Sequence, residues 1–392
     1  MTTPTRRRAR LVALAAAALT AAALTAPAPA AAGPVRAAGG HQATRAAIEA
    51  AVAAGVPGVT AEARDAAGVW RTTAGVGDRT TGAPRSPRDR FRTGSITNTF
   101  VATVLLQMEA EHKLSLDDPV ETFLPGVVTG SGNDGRRITV RQLLNHTSGL
   151  YDYLADPAYY EKYTLGEGFL RHRYDTLTPA QRLAVAFSHP PMFPPGARHS
   201  FSHTNDILSA LIVEKVGGSS YEAQVRRRIL APLRLRATSN PGTATTVPRP
   251  SSRGYSKLFY GTDPDRIDDV TDVNGSQNWG DGDLISSAGD LNRFYGALMG
   301  GRLLPAKQLQ ELKTTVVNPD FPASSYGLGV ELLTLGCHTS VWYHDGGVVG
   351  SLTLSAFSED GRHLLTFNYN GDWEVSQLLA TLNAEFCPAP SN

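Results

Sequence analysis

Residues 91–100 read Phe91-Arg92-Thr93-Gly94-Ser95-Ile96-Thr97-Asn98-Thr99-Phe100. A serine that opens a helix, with a lysine three residues on, places hydroxyl and amine on one face, where the amine can take the serine's proton. Here the third residue is Asn98, which has no titratable group. The apolar positions Phe100, Val104, Leu105 and Met108 continue at helical spacing, so the helix starts near Ser95. The stretch asks whether Ser95 is a nucleophile, and what would serve as its base.

Outward from this helix, strands are predicted towards both ends of the chain and helices between them. Gln42 to Ala54 carries Ala46, Ile48, Ala51 and Val52 at helical spacing, and residues 59–76 alternate around a glycine turn as a hairpin. Leu114 to Leu124 predicts a loop with a short helical turn, and Asp117-Asp118 before Pro119 predicts a helix cap. Ile138 to Leu144 opens a helix with Thr139 as N-cap; further helices are expected over Asn205–Val216, Tyr221–Ile229 and Trp373–Phe386. Residues 237–282 are rich in Pro, Gly, Ser, Thr and Asp. Strand patterns return near 327–332, at Val341-Trp342-Tyr343, and over 351–357 and 363–369. Segments so far apart can share one sheet if the middle is inserted into it. The expected organisation is an α/β sheet domain from 42–110 and 288–392 with a mostly helical domain, 111–287, inserted. A cleft between the two is a usual place for a site.

The chain has 392 residues, 41% apolar and 19% charged, with a formal net charge of +1. That balance argues against a nucleic-acid partner, and the aromatic residues do not interleave with basic ones as base stacking would need. The basic run Arg6-Arg7-Arg8-Ala9-Arg10, the Ala- and Leu-rich stretch from Leu11 to about Thr25 and the small residues of 27–32 form the pattern of a secretory signal over 1–32, with 33–41 as a flexible lead-in. A secreted, extracellular protein with no stable membrane span is expected, by the general or the twin-arginine route. Cys337 and Cys387 are the only cysteines; in an exported chain such a pair predicts a disulfide. No cluster of His, Cys and carboxylates has metal-ligand spacing, and no cofactor is expected.

Four stretches read together: Gly94 to Asn98; Leu144-Asn145-His146-Thr147-Ser148-Gly149-Leu150; Pro195-Gly196 through Phe201-Ser202-His203-Thr204-Asn205; and Tyr343-His344-Asp345-Gly346-Gly347. In this order they resemble the serine β-lactamase and penicillin-binding protein family. The likeness is greatest to exported D-alanyl-D-alanine carboxypeptidases and class C β-lactamase-related serine hydrolases, and runs from about residue 42 to 385. The segment 283–291 is similar to the family's loop and helix between its second and third motifs. The resemblance implies an antiparallel sheet flanked by helices, with an inserted helical domain. It also implies a Ser-x-x-Lys, a Tyr-x-Asn and a His-x-Gly motif. Ser95 matches the nucleophile, and His344 and Gly346 match the third motif. The departures are Asn98 for the lysine, Phe201 for the tyrosine and His203 for the asparagine, so both usual proton carriers are replaced.

The catalytic candidates are therefore Ser95, Asn98 and His203, and the substrate-binding candidates Phe201, His344, Gly346 and Val348. His203 is a candidate base for Ser95, oriented by Asp206 or held by Asn98. The family's oxyanion donors would be the Ser95 amide and one near Val348. His146 reads as a loop buttress. Three functions stay open: a secreted hydrolase of a small peptide, amide or ester through acyl-Ser95; a non-catalytic relative that binds peptidoglycan-like peptides or another small ligand; and a scaffold or interaction protein.

Overall fold

The computed structural model describes residues 40–388. The expected signal, 1–32, and most of the lead-in lie outside them. Eight antiparallel strands form the main sheet. They are β1 (Gly58–Asp65), β2 (Gly68–Gly75), β3 (Val316–Val317), β4 (Ser324–Tyr326), β5 (Glu331–Thr334), β6 (Ser340–Val348), β7 (Ser351–Phe357) and β8 (Leu364–Tyr369). The order across the sheet is β2-β1-β8-β7-β6-β5-β4-β3. The first strand thus lies beside the last, with Val59 opposite Tyr369.

Every residue of β8 is buried, because both faces of the sheet are covered. Alternate residues serve the two sides. Leu365, Phe367 and Tyr369 pack with Ile48 and Ala51 of α1 (Gln42–Ala53) and with Leu378, Leu382 and Phe386 of α5 (Ser376–Phe386). Leu364 and Phe357 join the larger core on the other side, with Phe294 and Leu298 of α4 (Ala288–Met299). The two terminal helices are tied together where Thr44 Oγ1 donates to Glu385 at 2.6 Å.

Helix α2 (Ile96–Ala110) is buried almost all round, which suits a helix at the centre of a core. Its threonine hydroxyls find backbone acceptors: Thr97 donates to Gly94 O at 2.9 Å, Thr99 to Gly329 O at 2.6 Å and Thr103 to Thr99 O at 2.7 Å. Helix α3 (His203–Gly217) packs on α2 and starts two residues earlier than its apolar pattern suggests. The Thr139 cap is present as a reciprocal pair with Gln142. Asp117 and Asp118 do not cap the short helix that follows. Asp117 pairs with Arg141 at 2.8 Å, and Asp118 accepts from the Ser115 amide at 2.7 Å. The Cys337–Cys387 disulfide is formed, with Cα atoms 5.8 Å apart. No helix among the described residues is long and apolar enough to cross a membrane.

Candidate active site

Ser95 stands at the N-terminus of α2, half-buried. The N–H groups of a first helical turn have no helical acceptor and face outward. Two glycines let the end of β6 lie against this turn. A Cβ on Gly346 would come within 2.0 Å of Thr93 O and 2.6 Å of Ser95 N; one on Gly94, whose φ is +58°, would come within 2.6 Å of Gly347 N. The segment 91–94 is held from behind, where Ser351 Oγ donates to Arg92 O and Thr93 N donates to Leu284 O.

The register decides which β6 amide faces Ser95. Val348 pairs with Ser351 across the two-residue turn Val349-Gly350. Such a closing pair exchanges hydrogen bonds, and the antiparallel ladder then alternates. Gly347 is consequently the residue whose N–H points away from β7, on the side where Gly94 lies. The sequence places this amide near Val348; the ladder commits Val348 to Ser351 and leaves Gly347 free to face the serine. Val348 does line the cavity.

That cavity, about 400 Å³, is lined by Ser95, His203, Asp281, Gly347 and Val348. An aromatic wall of Tyr153, Tyr159, Tyr163, Phe169, Tyr260 and Trp373 surrounds the rest. Asn98, Phe201, His344 and Gly346 are not part of its lining.

His203 is anchored by a residue that sequence reasoning missed. Its Nδ1 lies 3.0 Å from Asp152 Oδ2, and its backbone N–H donates to Asp152 Oδ1 at 3.2 Å. The expected orienting groups, Asp206 and Asn98, do not hold the ring. Burial alone would push the imidazole pKa down; the Asp152 carboxylate overrides it, with Asp281 and Asp206 adding, and the pKa is raised to about 9. Asp152 follows the His146–Leu150 loop by two residues, but it meets His203 across 51 positions. The only signal was a carboxylate next to a motif loop.

Behind the cavity, Asn98 and His146 are buried and the half-buried Phe201 packs between His146 and His203. Phe201 stacks on His146 at 4.1 Å and sets its edge to His203 at 5.0 Å. His146 Nδ1 accepts from the Ser202 N–H at 3.2 Å and from Asn205 Nδ2 at 3.1 Å, pinning the start of α3. Burial pushes its pKa well down. Asn98 is buried with its amide beside the Asp206 carboxyl; no hydrogen bond of good geometry reaches either amide atom or Asp206 Oδ2. Burial holds the Asp206 carboxyl well above its ordinary range. His344 lies between Tyr326 Oη at 3.1 Å and its neighbour Asp345 O at 2.6 Å. Burial lowers its pKa to about 4.

A D-stereospecific amidohydrolase from Streptomyces sp. has a solved structure that superposes with a TM-score of 0.83, at 50% identity over 88% of this chain and 98% of that one. A Bacillus subtilis protein named for penicillin binding, PbpX, is 26% identical over 291 residues, 74% of this chain and 64% of its own. Esterase EstB of Burkholderia gladioli is 32% identical over 171 residues, 43% of each chain. The chain thus spans less than two thirds of either curated relative. The family model described as Beta-lactamase matches residues 44–362, a span that takes in the Ser95 helix, the Asp152 loop and the β6 edge, and the chain belongs to the beta-lactamase family.

Proposed function

We propose that the protein is a secreted serine hydrolase that cleaves a small peptide, amide or ester through an acyl-Ser95 intermediate, with His203 as the base and Asp152 as its anchor. One observation carries the reading: Ser95 and His203 line the same cavity, and Asp152 holds Nδ1, which leaves Nε2 as the nitrogen that can accept a proton. Ser95 Oγ attacks the carbonyl carbon while His203 Nε2 takes its proton. The same nitrogen returns the proton to the departing amine or alkoxide. Water then attacks the acyl carbon by the reverse roles, releasing the acid and restoring Ser95. The amides of Ser95 and Gly347 are placed to receive the oxyanion. The names of the relatives, an amidohydrolase and an esterase among them, support the bond class.

A second reading is favoured by the charge of His203. With its pKa near 9, the ring is protonated at neutral pH and cannot accept a proton. Asn98 and Phe201 supply no substitute, so near pH 7 the cavity binds ligand without turning it over. Intact-mass measurement after exposure to a fluorophosphonate or a penicillin, from pH 6 to pH 10, separates the two. A mass gain on the native chain at alkaline pH, lost in Ser95→Ala and strongly reduced in His203→Gln, supports the hydrolase. No gain at any pH leaves the binding reading.

A further inference from the structure

A second depression, about 900 Å³, shares no lining residue with the Ser95 cavity. Six arginines line it, from four separate parts of the chain: Arg71, Arg88, Arg90, Arg234, Arg236 and Arg293. Two are neutralised, Arg71 by Glu62 at 2.7 Å and Arg293 by Asp290 at 3.2 Å. The side chains of Arg88, Arg90, Arg234 and Arg236 make no ion pair or hydrogen bond among the described residues. All but Arg90 of these four are exposed. In a chain of net charge +1 this is a marked local departure, and the groove holds no further carboxylate to balance it.

Like charges gathered in one concave surface create a positive potential that favours an anion there. The planar guanidinium fork matches phosphate oxygens in pairs. No aromatic side chain lines the groove, so it offers nothing for bases to stack on. Its only apolar lining is Pro87, Ala237 and Pro250, too little for an acyl chain. Four unpaired cations carry more charge than one orthophosphate can balance, which suits an anion of several phosphates. We infer that this groove is a binding site for a linear polyphosphate-type anion, separate from the Ser95 cavity and independent of its chemistry.

The test uses the full chain, titrated calorimetrically with long-chain inorganic polyphosphate, with orthophosphate, and with a single-stranded DNA oligonucleotide of matched phosphate count. Polyphosphate is expected to bind most tightly and to weaken as salt is raised. The double change Arg88→Gln, Arg236→Gln should lower that affinity by about tenfold or more. A charge-matched control, Arg171→Gln with Arg362→Gln, removes two exposed arginines outside the groove and should leave it nearly unchanged. Labelling of Ser95 should be the same in all three proteins. The inference is overturned by no polyphosphate binding, by orthophosphate or the oligonucleotide binding as tightly, or by an equal loss in the control.

Discussion

At the scale of single residues, the site turns on the protonation of His203. Only the neutral ring can take the serine's proton, so below its pKa of about 9 acylation should rise about tenfold per pH unit and then level off. Asp152→Asn removes the largest cause that holds the pKa up, and burial then pushes it down, so the rise should move to lower pH. A profile unmoved by Asp152→Asn would discard His203 as the base. The same shift bears on stability: a raised folded-state pKa stabilises the fold in full below the unfolded value, about 6.5, and that contribution is lost as pH rises through about 9. A second prediction concerns Asn98. Asp206 lies beside it, its carboxyl kept towards the neutral form by burial; an ammonium at position 98 would draw off that proton, so Asn98→Lys should be tolerated as an ion pair with Asp206. Alone it should give little hydrolysis, because Phe201 still lacks a hydroxyl. Asn98→Lys with Phe201→Tyr and His203→Asn should turn over a D-alanyl peptide faster; equal rates in the single and triple variants would show that the pocket did not change as a unit.

At the scale of elements, β6 and the first turn of α2 form one device. Gly346→Ala sets a methyl against Thr93 O and Ser95 N, and both are backbone atoms that cannot swing aside. The strand must lift, so Ser95 labelling should be lost and the melting temperature should fall, by an amount matching about 1–3 kcal/mol of overpacking. Normal labelling in this variant would mean that the β6 edge does not shape the site. Much of this device was legible in the sequence. Ser95, His203 and the β6 edge follow from the order of four short stretches, and the strands at 351–357 and 364–369 from their apolar runs. Val316–Val317 and Ser324–Tyr326 were not legible, because two or three residues carry no periodicity and only the neighbouring strand defines them. The Gly347 amide was likewise hidden, since it depends on which pair closes the hairpin. Asp152 could not be read because its partner is chosen by tertiary folding.

At the scale of the whole molecule, the disulfide joins the turn after β5 to the end of α5 across a separation of 50 residues. Closing a loop of that length contributes about 4 kcal/mol in the chain-entropy picture. Cys337→Ala with Cys387→Ala should therefore lower the midpoint of chemical unfolding and steepen its slope, because the uncrosslinked unfolded chain exposes more surface; an unchanged midpoint would show the bond to be idle. The ring it closes contains β6, β7 and β8, so it guards the strands that carry the site. The sheet order has one more consequence, for the way the chain is made. β1 pairs with β8, the last strand of the sheet to leave the ribosome. The β1–β2 hairpin emerges early with its inner edge unpaired, an open invitation to another strand. The sheet cannot seal until β8 has been synthesised, so any machinery that carries the nascent chain must keep that edge occupied until its partner arrives.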